Sequence, residues 1–342
     1  MICDYPEHEL VTSRQELVTG LTAYIAIHNS RLGPAIGGCR IQPYANTAEA
    51  VDDVLRLSRG MTYKAAIAAI PYGGGKAVIV ADPVSQKTPV LLHAMGDFVE
   101  SLNGRYITSF DAGTTLEDVR TMAERTRYTA GTLAEAGNAS VSTALGVYEC
   151  LKVAARVQLG RSDLEGLRVA IQGIGNVGRR LADLLRDAGA SLTIADIDEG
   201  RVAKAAAELQ AQIVPCDHIH RVEADIFAPC ALGGSLSRKT IGELRVKAVI
   251  GGANNQLACS QSDRQLLEAG ILYCPDYLAN AGGIVDLHYQ RATWSTAAVE
   301  RHVRSLAETF QEVIDRSRAT GEGTGWVADR IAEQRFRGAG HW

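Results

Sequence analysis

The chain of 342 residues reads as an α/β protein of two domains. Three observations predict this. The length suits about two domains at roughly 100–200 residues each. From Leu167 onward, short β-rich runs alternate with helical stretches, which implies a parallel sheet with crossover helices. A glycine fingerprint, Gly173-Ile174-Gly175-Asn176-Val177-Gly178, stands where one such run passes into a helix.

Along the first domain, residues 22–27 form a short β-rich strand. Val51, Val54, Leu55 and Ser58 make a helical stripe that Asn46 or Thr47 can cap. Residues 77–80 read as a buried strand preceded by the glycine run Gly73-Gly74-Gly75, and residues 105–108 as another strand. Thr115 with Asp118 is a capping box that opens a helix through Val119 and Met122. Residues 132–142 are small and polar, without periodicity, and read as a hinge.

A helix is expected over 143–157, then strand 169–171, helix 177–186, strand 192–195, helix 201–209 and strands at 225–227 and 248–250. Val299, Val303, Leu306, Phe310 and Val313 lie on a long amphipathic helix, and Val327 and Ile331 on another. The predicted domains are 1–140 and 141–309, with C-terminal helices over about 310–342 packing back on the first.

Composition excludes several classes. Hydrophobic residues are 46% and charged residues 22%, so general disorder is not expected. The net charge of -4 offers no basic field for nucleic acid or an anionic membrane. No apolar stretch reaches the ~18 residues of a membrane span. The acidic start MICDYPEHEL does not read as a signal peptide. The cysteines number 7, without a CxxC pair, which argues against a disulfide framework or a zinc site and for a reducing compartment. A soluble, cytoplasmic protein without a metal is the expectation.

The fingerprint carries chemistry at each position. Gly173 allows the tight turn, Gly175 lets a pyrophosphate approach the backbone, and Gly178 lets the helix pack on the strand. The N–H groups of the helix start, around Asn176 and Val177, then meet the phosphates. Asp196 ends the next strand, where an acid would accept the adenosine ribose hydroxyls and repel a 2′-phosphate. Asp198 and Glu199 add to that repulsion, which favours NAD over NADP. Arg201 is the counter-argument, because it can reach a phosphate.

Two lysines stand beside glycines. Lys64 ends Gly60-Met61-Thr62-Tyr63-Lys64, and Lys76 follows Gly73-Gly74-Gly75 at the start of a buried strand. A solvated amine with a snorkelling stem is the simple reading of either. The apolar run 65–70 can instead bring both to one cleft, where each ammonium depresses the other's pKa. One is then neutral enough to act as a base and the other stays charged for an anionic substrate. Asp111, before Ala112-Gly113-Thr114, is either a turn cap or a catalytic acid.

These segments together resemble the glutamate, leucine, phenylalanine and valine dehydrogenase superfamily, in its leucine and phenylalanine (and tryptophan) branch. The carrying motifs are residues 32–38 (LGPAIGG), 60–64, 73–78 (GGGKAV), 111–114 (DAGT), the fingerprint, 253–257 (ANNQL), Pro275-Asp276-Tyr277 and residues 280–283 (NAGG). The resemblance implies an N-terminal α/β substrate and oligomerisation domain and a Rossmann-type NAD-binding domain, with a catalytic cleft between them. It implies that Lys76 is the catalytic base, that Asp111 holds the amino group, and that Lys64 binds the α-carboxylate. Gly37, Gly38 and Asn255 would contact the substrate, and Thr143 and Asn254 would face the nicotinamide. Ile36, Met61, Ser109, Ile284 and Leu287 would line the side-chain pocket.

All pocket positions but Ser109 are apolar, so an unpaired polar side chain would lose its water there, and glutamate would find no cation. The implied activity is reversible, NAD-dependent oxidative deamination of an apolar amino acid, leucine or valine first. Phenylalanine or tryptophan is the alternative, and a non-catalytic NAD-binding relative a further one. A homo-oligomer, dimer or octamer, is expected. The sequence departs from the pattern at Ala139 and Val141, where relatives often carry prolines, at Phe110, where an acid is frequent, and at Asp286, where Asn is usual.

Overall fold

The computed structural model describes residues 7–133 and 139–338. They fall into two compact units, one of residues 7–133, 287–294 and 332–338, the other of residues 139–286 and 295–331.

The first unit contains β1 (Leu10–Glu16), β2 (Leu21–Asn29), β3 (Ala35–Gln42), α1 (Thr47–Ile67), β4 (Gly73–Val80), α2 (Pro89–Glu100), β5 (Tyr106–Phe110) and α3 (Leu116–Ala123). The strands form one sheet in the order β1-β2-β4-β3-β5. β2 pairs antiparallel with β1 and β4, and β3 pairs parallel with β4 and β5. Side chains alternate across it. Ile25, Ile27, Ala77 and Ile79 pack with Met95 and Phe98 of α2, while Ala26 and Val78 pack with Ala50 and Val54 of α1. Asn46 caps α1 through its side chain, and Thr115 and Asp118 form the capping box of α3. Both were legible in the sequence. The glycines 73–75 are part of β4 itself rather than a turn before it, so Lys76 sits mid-strand and not at a strand start.

The second unit contains α4 (Ser140–Leu159), β6 (Arg168–Gln172), α5 (Asn176–Asp187), β7 (Ser191–Ala195), α6 (Glu199–Leu209), β8 (Gln212–Ile213), β9 (Ile226–Pro229), α7 (Arg238–Glu243), β10 (Ala248–Val249), α8 (Gln261–Glu268), β11 (Leu272–Tyr273) and α9 (Asp276–Ala279). α10 (Gly282–Arg291), α11 (Thr296–Thr320) and α12 (Thr324–Gly338) complete the chain. The sheet is parallel throughout, in the order β11-β10-β9-β6-β7-β8. Its order reverses beside β6, the kind of switch point at which open α/β sheets bind ligands.

Two expectations need correction. The hinge over 132–142 lies partly outside the described residues, at 134–138, and its last part is already helix, since α4 starts at Ser140. The return of the C-terminus to the first unit starts at residue 332, not near 310. α11 stays in the second unit because its stripe Val299, Val303, Leu306, Phe310 and Val313 is buried there, against α4. Residues 332–338 hold to α1: Tyr63 donates to Glu333 at 2.9 Å, Phe336 meets the Tyr63 ring edge-on, and Arg335 donates to the carbonyls of Ala66 and Ile67. Residues 287–294, Leu287 among them, also belong to the first unit.

Candidate functional site

Strand alternation puts Lys76 on the face of the sheet that α1 covers, in phase with Val78. At 5% exposure its ammonium needs a partner. Asp111 provides it, with Oδ2 at 2.8 Å from Nζ. The carboxylate sits just past β5, in a turn that Thr114 closes: the Asp111 N–H donates to Thr114 Oγ1, and that hydroxyl donates to the Cys39 carbonyl. Gly38 makes room, because a Cβ there would stand 2.8 Å from the Asp111 Cβ. A Cβ on Gly37 would overlap the Gly75 carbonyl, and the Gly37 carbonyl accepts from Tyr106 Oη at 2.8 Å.

A second cation shares the carboxylate. Arg40 Nε donates to the same Oδ2 at 2.9 Å. Burial pushes the Asp111 carboxyl up, but Lys76 and Arg40 outweigh it and hold it down at about 2. Arg40 also reaches Asp53 at 2.8 Å, and Tyr44 and Arg56 donate to Asp53 at 2.7 Å each. Sequence reasoning missed Arg40 and Asp53. The available signal was a guanidinium between the apolar residues Cys39 and Ile41.

Met61 and Lys64 are three apart on α1, hence on one helix face, and both are half-buried. Ser109 is 2% exposed, and its Oγ has no hydrogen-bond partner among the described residues. Around the spot where a Cβ on Gly131 would sit are Leu287 Cδ2 at 3.2 Å, Ser109 Oγ at 3.3 Å and Phe110 Cε1 at 3.4 Å. Phe110 is 41% exposed. Ile36 is fully buried between β4 and β5, and Ile284 belongs to the second unit.

In the second unit the fingerprint joins β6 to α5. Gly173 has φ +93°, and a Cβ on Gly178 would overlap the Gly173 carbonyl. Gly175 is the N-cap, with open space where a side chain would stand, and no side chain caps the helix. The N–H groups at Asn176 and Val177 are thus left for an anion. Asp196, its side chain only 6% exposed, accepts from the N–H of Ile174 at 2.7 Å and from that of Asp198 at 2.9 Å. Arg201 is paired with Asp198 at 3.1 Å and with Asp196 at 3.5 Å. Open backbone at Gly175, a bare helix start and an acid ending the next strand fit a dinucleotide.

Thr143 donates to the Ala139 carbonyl near the start of α4, and Ser142 donates to the buried Asp286 at 2.7 Å. Asn254 accepts from Asn280 at 2.9 Å. Asn255 is exposed and has φ +52°, an uncommon conformation for a side-chain-bearing residue. The loop is braced by Gln256, which donates to the carbonyls of Gly251 and Ala253 and was not singled out in the sequence. Among the described residues no three His, Cys, Asp or Glu side chains are grouped to hold a metal.

Comparison with known proteins gives consistent findings. Residues 8–128 match the family model for the Glu/Leu/Phe/Val dehydrogenase dimerisation domain. Residues 137–202 and 192–332 match that for Glutamate/Leucine/Phenylalanine/Valine dehydrogenase. A leucine dehydrogenase of Thermoactinomyces intermedius is 42% identical, covering 98% of this chain and 93% of its own. A phenylalanine dehydrogenase of Lysinibacillus sphaericus is 47% identical over 89% of this chain and 83% of its own. The crystal structure of L-tryptophan dehydrogenase from Nostoc punctiforme aligns with TM-score 0.86 and 40% identity, covering 97% of both chains.

Proposed function

We propose, since this chain belongs to the Glu/Leu/Phe/Val dehydrogenase family, that it carries out the reversible oxidative deamination of an apolar L-amino acid, leucine or valine first, to the 2-oxo acid and ammonium, with NAD. The observation that carries the reading is the ion pair of the buried Lys76 with the half-buried Asp111. NAD, held by Gly173, Gly175, Asn176, Val177, Gly178 and Asp196 and faced by Thr143 and Asn254, supplies the acceptor for the hydride that leaves the α-carbon. Lys64 pairs with the α-carboxylate and, with the backbone of Gly37 and Gly38 and the Asn255 side chain, orients the α-hydrogen. Lys76, in its amine form, takes a proton from the water that attacks the iminium carbon and returns it as ammonia leaves. Both cations bonded to Asp111 end on Oδ2, so Oδ1 has no bond among the described residues and can take the substrate nitrogen. A spectrophotometric screen of the twenty amino acids with NAD tests the reading. No reduction with any apolar amino acid would favour a non-catalytic relative.

Asp196 decides the cofactor. A carboxylate latched to the N–H of Ile174 repels a 2′-phosphate, and the Arg201 guanidinium beside it is neutralised by both Asp196, at 3.5 Å, and Asp198, at 3.1 Å. Asp196→Ala is expected to weaken NAD binding and narrow the preference for NAD over NADP. Comparing kcat/KM with the two cofactors checks this, and an unchanged ratio overturns it.

A second reading, aromatic substrates, is favoured by Ser109. A leucine side chain leaves this buried hydroxyl without a partner, whereas the N–H of an indole can donate to it beside Phe110 and Leu287. If an aromatic side chain binds there, Ser109→Ala shifts kcat/KM from tryptophan towards leucine by about fivefold, near the net worth of one hydrogen bond. Equal changes for both substrates would remove this reading. Assembly with further copies of itself is part of the proposal, supported by the dimerisation-domain match and by β1 at the sheet edge. A reducing, cytoplasmic location suits the free cysteines Cys39, Cys150, Cys216, Cys230, Cys259 and Cys274. No described helix is long and apolar enough to cross a membrane.

A further inference from the structure

A carboxylate bonded only to Lys76 would stabilise the ammonium and hold its proton, which is the wrong state for a base. In this chain the carboxylate is shared. Arg40 is a permanent cation and lies 2.9 Å from the Asp111 Oδ2 that Lys76 also touches. It is itself fixed from behind, since Asp53 holds its Nη1 at 2.8 Å and Tyr44 and Arg56 hold Asp53. Charges thus alternate from Lys76 through Asp111, Arg40 and Asp53 to Arg56. We propose that Arg40 is a positioning residue that serves as the standing counter-ion of Asp111, so that Lys76 can give up its proton while Oδ1 stays turned to the substrate nitrogen. The inference rests on the reading of Lys76 as the base.

Other groups around the pair do not replace Arg40 in this role. Cys39 on β3 is pushed up to about 12 by burial, and Tyr106 on β5 is also raised well above its ordinary value, so both stay neutral. His28 on β2 is lowered to about 4, mainly by burial, and is neutral as well. On α3, Asp118 is paired with Lys87 at 2.8 Å. On α1 stand Lys64, assigned to the substrate, and Asp53 and Arg56, which belong to the chain of charges.

The test is the pH dependence of kcat/KM. Arg40→Gln removes a positive charge from the carboxylate that Lys76 shares, so the acid-limb pKa is expected to rise by about half a unit or more. That lowers kcat/KM about threefold at a fixed pH on that limb. Arg40→Lys keeps the charge and should leave the limb near its wild-type position. Asp53→Asn removes a negative charge, so the limb should stay or move down. A purely structural role would lower activity in all three without opposite shifts of the limb. An unchanged limb in Arg40→Gln, or an upward shift in Asp53→Asn, overturns the proposal. Lys76→Ala, measured alongside, separates the two ideas: if it keeps the wild-type acid limb, the base assignment itself has failed.

Discussion

Lys76→Ala is expected to lower kcat by about 10²–10⁴-fold, the range of a lost general base, while NAD binding stays unchanged. The proton from the attacking water then has no buried amine to go to. Asp111 is a poor substitute, because a carboxyl held down at about 2 is a weak base. The residues proposed to hold the cofactor, from Thr143 on α4 through the β6–α5 fingerprint and Asp196 to Asn254, all belong to the other unit, so an isothermal titration with NAD should match wild type. A variant that keeps more than about a tenth of wild-type kcat would contradict the assignment.

Asp111→Ala is expected to reduce stability by about 2–3 kcal/mol, below the usual cost of breaking a fully buried pair because a quarter of the Asp111 side chain is exposed. Two cations, Lys76 and Arg40, would face each other with their shared counter-ion gone. The effect has a pH signature. The folded pKa of Asp111, about 2, lies below the unfolded value of about 3.9. Its stabilising share is therefore complete above the unfolded value and is lost as pH falls through the folded one. That share is about 2–3 kcal/mol. Denaturant unfolding at neutral pH and at several acidic values should show the gap between wild type and variant narrowing on acidification. A gap constant down to about pH 2 would contradict the ionised, paired state.

The second unit was the more legible in the sequence. Its parallel strands are short β-rich runs with helices between them, and the glycine fingerprint marks the junction of β6 and α5. The first unit was harder to read. β3 holds Gly37 and Gly38, and β4 opens with three glycines, a pattern that suggests a turn by propensity. Tertiary closeness overrides propensity here: a Cβ on Gly74 would overlap Thr62 of α1, and one on Gly75 would press 2.7 Å from the Tyr106 ring. No periodicity announces such contacts, because the neighbours are far apart in sequence. The same holds for Arg40, whose partner Asp111 is 71 residues away. β1 was missed because its side chains are mostly half-buried and polar ones are frequent among them.

The glycine floor limits how this protein can be altered. At Gly37, Gly38, Gly74 and Gly75 a side chain would run into the protein's own backbone or a packed ring, whatever its polarity. Those positions are closed to drift and to design alike. On the proposed reading, substrate preference is better altered at Met61, Ser109, Phe110 and Leu287, where side chains already exist to be exchanged. A library confined to those four positions would sample altered preferences while leaving the reactive pair in place, and one extended to the glycines would yield mainly unfolded chains.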